Sequence, residues 1–280
     1  MSPAVQTSIY FWFGYPVPPK ERMGLIADAG FDAVMLWWGD EYRAANGTKE
    51  QLPELARRRG LWVENIHVPF SDANLLWKDG VTAESVYARY LSCIDACRDH
   101  GIPVMVLHAT QGNHPPPAGP TGLDRLRRLV ERAQRQDVTI ALENLRQSEH
   151  LDRAFEAIPS DRLGFCYDSG HENHFTKEWD LLDRYGHRLK ALHLHDNKGG
   201  LDQHLPPGEG TIRWPWLMER IARTGYRGPV SLELSNIASS RLRRMPVETF
   251  LDRAHSKAVA LGAMMTPLDG KARPDADINL

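Results

Sequence analysis

The chain of 280 residues is 42% hydrophobic and 25% charged, a balance typical of soluble globular proteins. Its formal net charge of −2 at pH 7 lacks the positive excess of most nucleic-acid-binding proteins, so DNA or RNA is not favoured as a partner. The sequence contains no apolar run near the roughly 18 residues that span a membrane, and no basic and apolar leader. Cys93, Cys97 and Cys166 are few and odd in number, which suits a reducing compartment. We therefore predict a cytoplasmic protein with no membrane partner.

Eight short apolar runs alternate along the chain with eight longer segments of helical period. The strands are predicted at 8–14, 33–38, 61–68, 104–109, 138–143, 163–168, 189–195 and 230–234. The helices are predicted at 19–29, 49–59, 82–100, 121–136, 149–157, 178–186, 214–224 and 246–262. Several strands are apolar at consecutive positions, as parallel strands buried on both faces are. Eight strand–helix pairs predict an α/β fold, the (β/α)8 TIM barrel.

The chain is predicted to form a single domain, because no low-complexity linker divides it. We expect the TIM-barrel catalytic domain to cover residues 1–265, and the polar, proline-interrupted segment 266–280 to form a C-terminal tail. The competing fold, a doubly wound sheet, would need a glycine-rich phosphate turn after an early strand. The glycine pair at 208–210 comes late in the chain and does not directly follow a strand, which favours the barrel.

Residue types that bind metals stand at the ends of most of the predicted strands. The C-terminal ends of barrel strands converge on one mouth, so these side chains should meet there. They are His67, His108, Glu143, Asp168, His193 or His195, and Glu233, with His171, Asp202 and His204 in the segments that follow. A lone histidine at a strand end is more often structural, and a lone carboxylate often caps the next helix. Carboxylates at successive strand ends would repel one another unless a cation neutralised them, so the joint pattern predicts a metal centre.

The order of short motifs along the chain resembles one enzyme superfamily. The segments IHVPF, VLHAT, ALEN, CYDSGH, HLHDN, DQH, PPGEGTI and SLEL follow one another as in the xylose isomerase-like TIM barrels. The resemblance extends over residues 8–262. This superfamily contains sugar isomerases and epimerases, such as the tagatose and psicose 3-epimerases and inosose-handling enzymes, and also endonuclease IV. The motif set is specific to the superfamily but not to one substrate.

The resemblance implies a divalent metal (Mn, Co, Mg or Zn) as the cofactor. In the single-metal epimerases the ligands correspond to Glu143, Asp168, Glu233 and a histidine of the seventh strand. His193 and His195 point to the same side of that strand; the His-Leu-X-Asp pattern favours His193, while the epimerase pattern allows His195. One ion is expected, but up to three stay open, because endonuclease IV holds three zinc ions with nine ligands. Those nine correspond to His67, His108, Glu143, Asp168, His171, His193, Asp202, His204 and Glu233.

We expect a metal-dependent isomerase or epimerase that acts on a small sugar, sugar phosphate or polyol. The cation would bind the carbonyl and a neighbouring hydroxyl oxygen and stabilise an enediolate, while Glu143 and Glu233 exchange the proton as acid and base. Substrate contacts are expected from His171, Lys198, Trp12, Trp37 and Glu209. The loop after the seventh strand lacks the glutamate and arginine of the 3-epimerases, so dehydratase chemistry by the same proton abstraction stays open.

The alternative is an endonuclease IV-like phosphodiesterase that cuts DNA at abasic sites with three zinc ions. The nine matched ligand positions favour it. The near-neutral charge disfavours it, since neutralisation of phosphates dominates DNA affinity. The loops at 14–19 and 39–42 also contain prolines and acids rather than arginines. A barrel that binds a sugar without catalysis is a third interpretation, and association into a homo-oligomer is open.

Overall fold

The computed structural model describes residues 5–40 and 47–265, and it confirms the (β/α)8 barrel. The strands are β1 (Thr7–Tyr10), β2 (Ala33–Trp37), β3 (Trp62–His67), β4 (Val104–Leu107), β5 (Thr139–Glu143), β6 (Leu163–Asp168), β7 (Leu189–His193) and β8 (Val230–Leu232). They form one sheet in the order β7-β6-β5-β4-β3-β2-β1-β8, and all of the pairs are parallel. A parallel bridge between Leu194 and Leu232 brings the two edges of this sheet together.

Helices follow the strands and cover the outside of the barrel. They are α1 (Pro19–Asp28), α2 (Leu52–Arg57), α3 (Val81–His100), α4 (Pro120–Arg135), α5 (Glu149–Ala157), α6 (Ser169–Phe175), α7 (Leu181–Tyr185), α8 (Trp214–Arg223), α9 (Ser240–Arg243) and α10 (Val247–Met265). All eight predicted helices have a counterpart, whereas α6 and α9 were not predicted. Among the described residues, no helix combines the length and the apolar character needed to cross a membrane. Segment 266–280 lies outside the described residues, so the tail and the domain boundary stay predictions.

Alternation along the strands separates the barrel interior from the helix-facing core. The interior cluster consists of the small residues Val106, Ala141, Cys166 and Ala191. The residues between and beside them belong to the large core that the strands share with the helices, for example Leu107, Leu142 and Leu192. The metal-binding types His108, Glu143, Asp168 and His193 each follow one of the interior residues by two positions. Since side chains two apart on a strand share a face, these four point into the mouth of the barrel.

A bulge in β3 places a carboxyl group inside the barrel below this mouth. Val34 pairs with Val63 and Met35 with Asn65, so Glu64 is an extra residue that has no partner in the register. Its side chain is buried and accepts a hydrogen bond of 2.6 Å from the hydroxyl of Ser231 on β8. Because β3 and β8 are not neighbours in the sheet, this contact crosses the interior of the barrel. Burial raises the pKa of Glu64 from 4.5 to about 7.

The buried Glu64 should make stability fall as the pH rises. Between pH 4.5 and about 7 the unfolded chain ionises this carboxyl, whereas the folded chain keeps it protonated. The free energy of unfolding of the natural chain should therefore fall by on the order of 3 kcal/mol across this window. The Glu64→Gln chain, whose side chain is neutral at every pH, should not show that fall. Urea denaturation at about pH 5 and about pH 8 measures this effect, and the variant should gain stability relative to the natural chain at the higher pH. If the two chains differ in stability by the same amount at both pH values, the raised pKa of Glu64 is contradicted.

Candidate metal centre

The strand ends bring polar side chains together at a cavity of about 280 Å³, which His67, His108, Glu143 and Glu233 line, while Asp168 and His193 are not among its lining residues. His67, Glu143, Asp168 and His193 are the last residues of β3, β5, β6 and β7, and His108 and Glu233 come directly after β4 and β8. His171 lies in the first turn of α6, and Asp202 and His204 lie in the long loop between β7 and α8. All of the predicted metal-binding residues are thus within the same end of the barrel. The lengths and parallel pairing of the strands produce this convergence, because each strand ends at its neighbours' level.

The carboxylate of Glu143 is the centre of the first cluster. Its Oε2 atom lies 3.2 Å from Nε2 of His67 and 3.2 Å from Nε2 of His108. The same oxygen lies 3.1 Å from Nδ1 of His193, and Oε1 lies 3.1 Å from Nδ1 of His171. Burial alone would raise the pKa of Glu143, but the neighbouring His108 and His193 outweigh it and hold the pKa well below its usual range. Glu143 is therefore an ionised carboxylate that four imidazoles share.

A second cluster joins Glu143 to Asp168, His193 and Glu233, with one ligand atom of each within 4.8 Å of the others. The Nδ1 atom of His193 lies 2.9 Å from Oε2 of Glu233, yet it makes no hydrogen bond of acceptable geometry. This buried nitrogen thus stands between two carboxylates, at ion-pair distance from both, without a hydrogen bond of good geometry to either. Three carboxylates and one imidazole are a donor set that suits Mn, Mg, Co or Zn. The residues present therefore fit a divalent cation.

A third cluster combines His195, Asp202 and His204, and their ligand atoms also lie within 4.8 Å of one another. The rings of His195 and His204 stack at 3.9 Å with an interplanar angle of 11°. His204 has a φ of 48°, a left-handed backbone that non-glycine residues adopt at a cost of order 1–3 kcal/mol. Nδ1 of His204 lies 2.8 Å from the carbonyl oxygen of Glu233, which holds the ring against the end of β8.

The electrostatics of the third cluster depend on Asp202. Burial opposes protonation of His204, but Asp202 and Glu233 outweigh it and raise the pKa of His204 to about 9. Asp202 itself has a pKa well below its usual range, because His171 and His204 flank it and overcome its burial. Without a cation, protonated imidazoles thus balance the carboxylates here. A metal ion would displace those protons, since imidazole ligands bind metals in the neutral form.

The two histidines of the seventh strand enter different clusters. His193 stands between Glu143 and Glu233, whereas Nε2 of His195 lies 3.1 Å from Oδ1 of Asp168 and 3.7 Å from Oδ1 of Asp202. His193 thus stands beside the two glutamates, as the prediction of a ligand there requires. His195 bridges the second and third clusters instead. Which of the two binds an ion remains a prediction.

The predicted substrate contacts differ in their position relative to the cavity. His171 lines the cavity, and the ring of Trp37 lies 5.7 Å from that of His67, one layer behind it. Trp12 stands away from the cavity beneath the guanidinium of Arg22, 4.7 Å from ring centre to carbon. Lys198 and Glu209 are not among the described residues that line the cavity either. The backbone N–H of Lys198 donates to Gln203 at 3.0 Å, and the Glu209 carboxylate pairs with Arg241.

Several lining residues were missed by the sequence analysis. Phe70 stacks on the ring of His108 at 4.3 Å, and Arg146 lies over the ring of Phe175 at 4.2 Å. Phe70 closes the IHVPF motif and Arg146 follows the ALEN motif, so the positions of both relative to strand ends were available as signals. An aromatic ring or an arginine after a strand end is common without a role, and only the cavity distinguishes these two.

Asp196, directly beyond the seventh strand's histidines, organises the loop that carries the third cluster. Its Oδ2 atom accepts hydrogen bonds of 2.9 Å from the backbone N–H of Gly208 and of 2.9 Å from the indole of Trp214. Its Oδ1 atom accepts from the backbone N–H groups of Asn197 and Ile212, at 2.9 and 3.2 Å. The fully buried carboxylate thereby ties both ends of the loop to the barrel. This role was not predicted, because the donors lie up to 18 residues away in sequence.

The chain belongs to the xylose isomerase-like TIM barrel family, whose model matches residues 23–249. An uncharacterised protein of Methanocaldococcus jannaschii is 26% identical over 259 residues, which are 86% of this chain and 88% of the relative. An uncharacterised protein of Sinorhizobium fredii is 36% identical over 123 residues, and the match covers 43% of this chain but only 38% of that relative's length. The L-ribulose-5-phosphate 3-epimerase UlaE of Escherichia coli is 27% identical over 124 residues, 40% of this chain and 41% of the relative.

Among solved structures, that of an L-ribulose 3-epimerase is similar with a TM-score of 0.73 at 17% identity. The match covers 96% of this chain and 100% of the epimerase. At this level of identity the similarity establishes the fold alone.

Replacing Asp196 by asparagine should weaken the loop and lower stability. The amide nitrogen cannot accept hydrogen bonds, so at least one pair of buried donors loses its partner, at a cost of about 2–4 kcal/mol in the free energy of unfolding. Asp161→Asn, at an exposed position, is the matched control and should change stability by less than about 0.5 kcal/mol. Urea denaturation of both variants measures the difference. Equal stabilities would mean that Asp196 does not hold the loop.

Proposed function

We propose that the protein is a divalent-metal-dependent isomerase or epimerase of a small ketose, ketose phosphate or polyol. The observation that carries the proposal is the pairing of Glu143 and Glu233 about His193, at 3.1 and 2.9 Å from its Nδ1 atom. The two glutamates come from β5 and β8, which are not neighbours in the sheet, so they approach the cavity from different sides. Isomerisation and epimerisation at a carbon beside a carbonyl need such a pair, one group to remove a proton and one to return it.

The ion would be held by Glu143, Asp168, Glu233 and His193. When bound there, a divalent cation acts as a Lewis acid that polarises the carbonyl oxygen of the substrate and favours loss of the adjacent proton. The feature that supports this ligand set is the buried Nδ1 atom of His193, which lies within 3.1 Å of two carboxylates without a hydrogen bond of good geometry to either.

The two glutamates differ in environment, which suits different duties. The side chain of Glu143 is 1% exposed, and that of Glu233 is 14% exposed, so Glu233 is the carboxylate more open to the cavity. Nearby histidines hold the pKa of both below the usual range, so both are ionised and can accept a proton at neutral pH. We expect His171, whose Nε2 lies 3.3 Å from Asp202 and whose Nδ1 faces Glu143, to bind a substrate hydroxyl.

The relatives support the substrate class. The E. coli relative is by name a 3-epimerase of a ketopentose phosphate, and the similar solved structure is by name a 3-epimerase of a ketopentose. Both names describe inversion at a carbon beside a carbonyl. Proton transfer by a pair of carboxylates is the chemistry that the cavity of this chain would supply for such a reaction.

Each glutamate should be required for turnover. Glu143→Gln and Glu233→Gln remove a proton acceptor and weaken the ligand set, so we expect kcat on a ketose substrate to fall roughly 10²- to 10⁴-fold. Glu219→Gln on α8, which is exposed and paired with Arg223, should keep full activity. Exchange of substrate hydrogen with deuterated solvent, followed by NMR, measures the step directly. Near-normal exchange in either cavity variant would refute the two-glutamate mechanism.

A second candidate is a trinuclear zinc phosphodiesterase that acts on abasic DNA. The observation in its favour is that the described residues form four potential ligand groups, of which three share Glu143 and the fourth contains Asp202. The charge of −2 and a cavity wall rich in carboxylates count against a polyanionic substrate as large as DNA.

Counting the ions by elemental analysis separates the two candidates. About one equivalent per chain, retained in Glu219→Gln and lost in Asp168→Asn, would support the isomerase. Three equivalents of zinc, together with cleavage of an abasic oligonucleotide, would favour the phosphodiesterase. Three equivalents without cleavage would leave the isomerase with a larger metal centre.

A further inference from the structure

Arg146 stands at the rim of the cavity three residues beyond Glu143. Among the described residues that line the cavity, it is the one arginine, and no lysine accompanies it. The remaining charged groups of the wall are carboxylates, Glu143, Asp202 and Glu233, together with histidines. A fixed positive charge at this edge therefore faces a wall that is otherwise acidic or pH-dependent.

The guanidinium of Arg146 is held by an aromatic ring rather than by an acid. Its central carbon lies 4.2 Å from the ring centre of Phe175, and no carboxylate of the described residues lies within 4.0 Å of its nitrogens. Arg184, by contrast, also lies over an aromatic ring, that of Tyr185, but donates to Asp152 at 2.7 Å. A contact with an aromatic ring uses none of the N–H donors of a guanidinium, and those of Arg146 make no hydrogen bond to another described residue, so they are available to a ligand.

A series of contacts along the cavity wall connects Glu143 with Arg146. Nδ1 of His171 lies 3.1 Å from Glu143, the ring of Phe175 lies 5.6 Å from that of His171, and Arg146 lies 4.2 Å from the centre of the Phe175 ring. A substrate whose reacting carbon lies at the glutamates would therefore extend along the His171–Phe175 wall and place its far end at Arg146.

We propose that Arg146 binds an anionic group, a phosphate ester or a carboxylate, at the end of the substrate remote from the reacting carbon. This inference rests on the proposed isomerase and makes its substrate an acidic sugar rather than a neutral one. Arginine binds such groups through two parallel N–H donors. Against an acidic wall, the charge of Arg146 offsets the repulsion that an anionic substrate would otherwise meet.

Binding to the full chain, measured by isothermal titration calorimetry, tests this proposal. The ligands are a ketopentose phosphate, the parent ketopentose, a sugar acid of the same length and inorganic phosphate. We expect the natural chain to bind one of the charged sugars about ten- to a hundredfold more tightly than the neutral ketose. Arg146→Gln should lose that preference, and Arg146→Lys should retain part of it. Arg153→Gln, an exposed charge change on α5 outside the cavity, should retain all of it.

The outcomes separate this inference from the proposed function. Equal binding of charged and neutral sugars by the natural chain, or an unchanged preference in Arg146→Gln, would overturn the role of Arg146 while turnover of the neutral ketose would keep the isomerase. If the preference for charged sugars depends on Arg146 but no sugar is turned over, the anion site is supported and the proposed isomerase is refuted. The charged ligand with the larger dependence on Arg146 identifies the group as phosphate or carboxylate.

Discussion

Four histidines converge on the buried carboxylate of Glu143, and the other groups of the cavity are arranged around that contact. An isolated carboxylate at this depth would be expensive, because burial removes its hydration without replacing it. Imidazoles supply hydrogen bonds and, when protonated, positive charge. The raised pKa of His204 reflects neighbouring acids that stabilise positive charge at this site. Either protons or a metal ion can supply that charge, so metal binding and protonation of the histidines are linked.

The two-residue period of the strands explains why so much of this site could be predicted. Interior positions alternate with helix-facing ones, so the fold class followed from the apolar runs and the cavity residues from their ends. Glu143 and His193 were found because each stands where an apolar run stops. Parallel strands end at the same level of a barrel, which turns positions far apart in sequence into neighbours.

What could not be predicted depends on contacts between distant segments. The bulge at Glu64 follows from the pairing of β3 with β2, and no local pattern announces a one-residue slip in register. Asp196 looks like any acid after a strand until its donors from the far end of the loop are seen. Arg146 acquires meaning only from Phe175, which belongs to the unpredicted helix α6. In each case the partner, rather than the residue, carries the information.

The loop between β7 and α8 decides how far the chemistry of the centre can extend. The strained backbone of His204 persists because Asp196 fixes the loop and Glu233 holds the imidazole, so the chain maintains this geometry at a cost. A single ion among Glu143, Asp168, His193 and Glu233 would not need that strain for its own ligands. The proposed function gives this loop a role beyond that ion. In an isomerase this is the orientation of His171 by Asp202 at 3.3 Å, which places the imidazole beside the wall that leads to Arg146. In the proposed isomerase, the third cluster would thus position the substrate through His171.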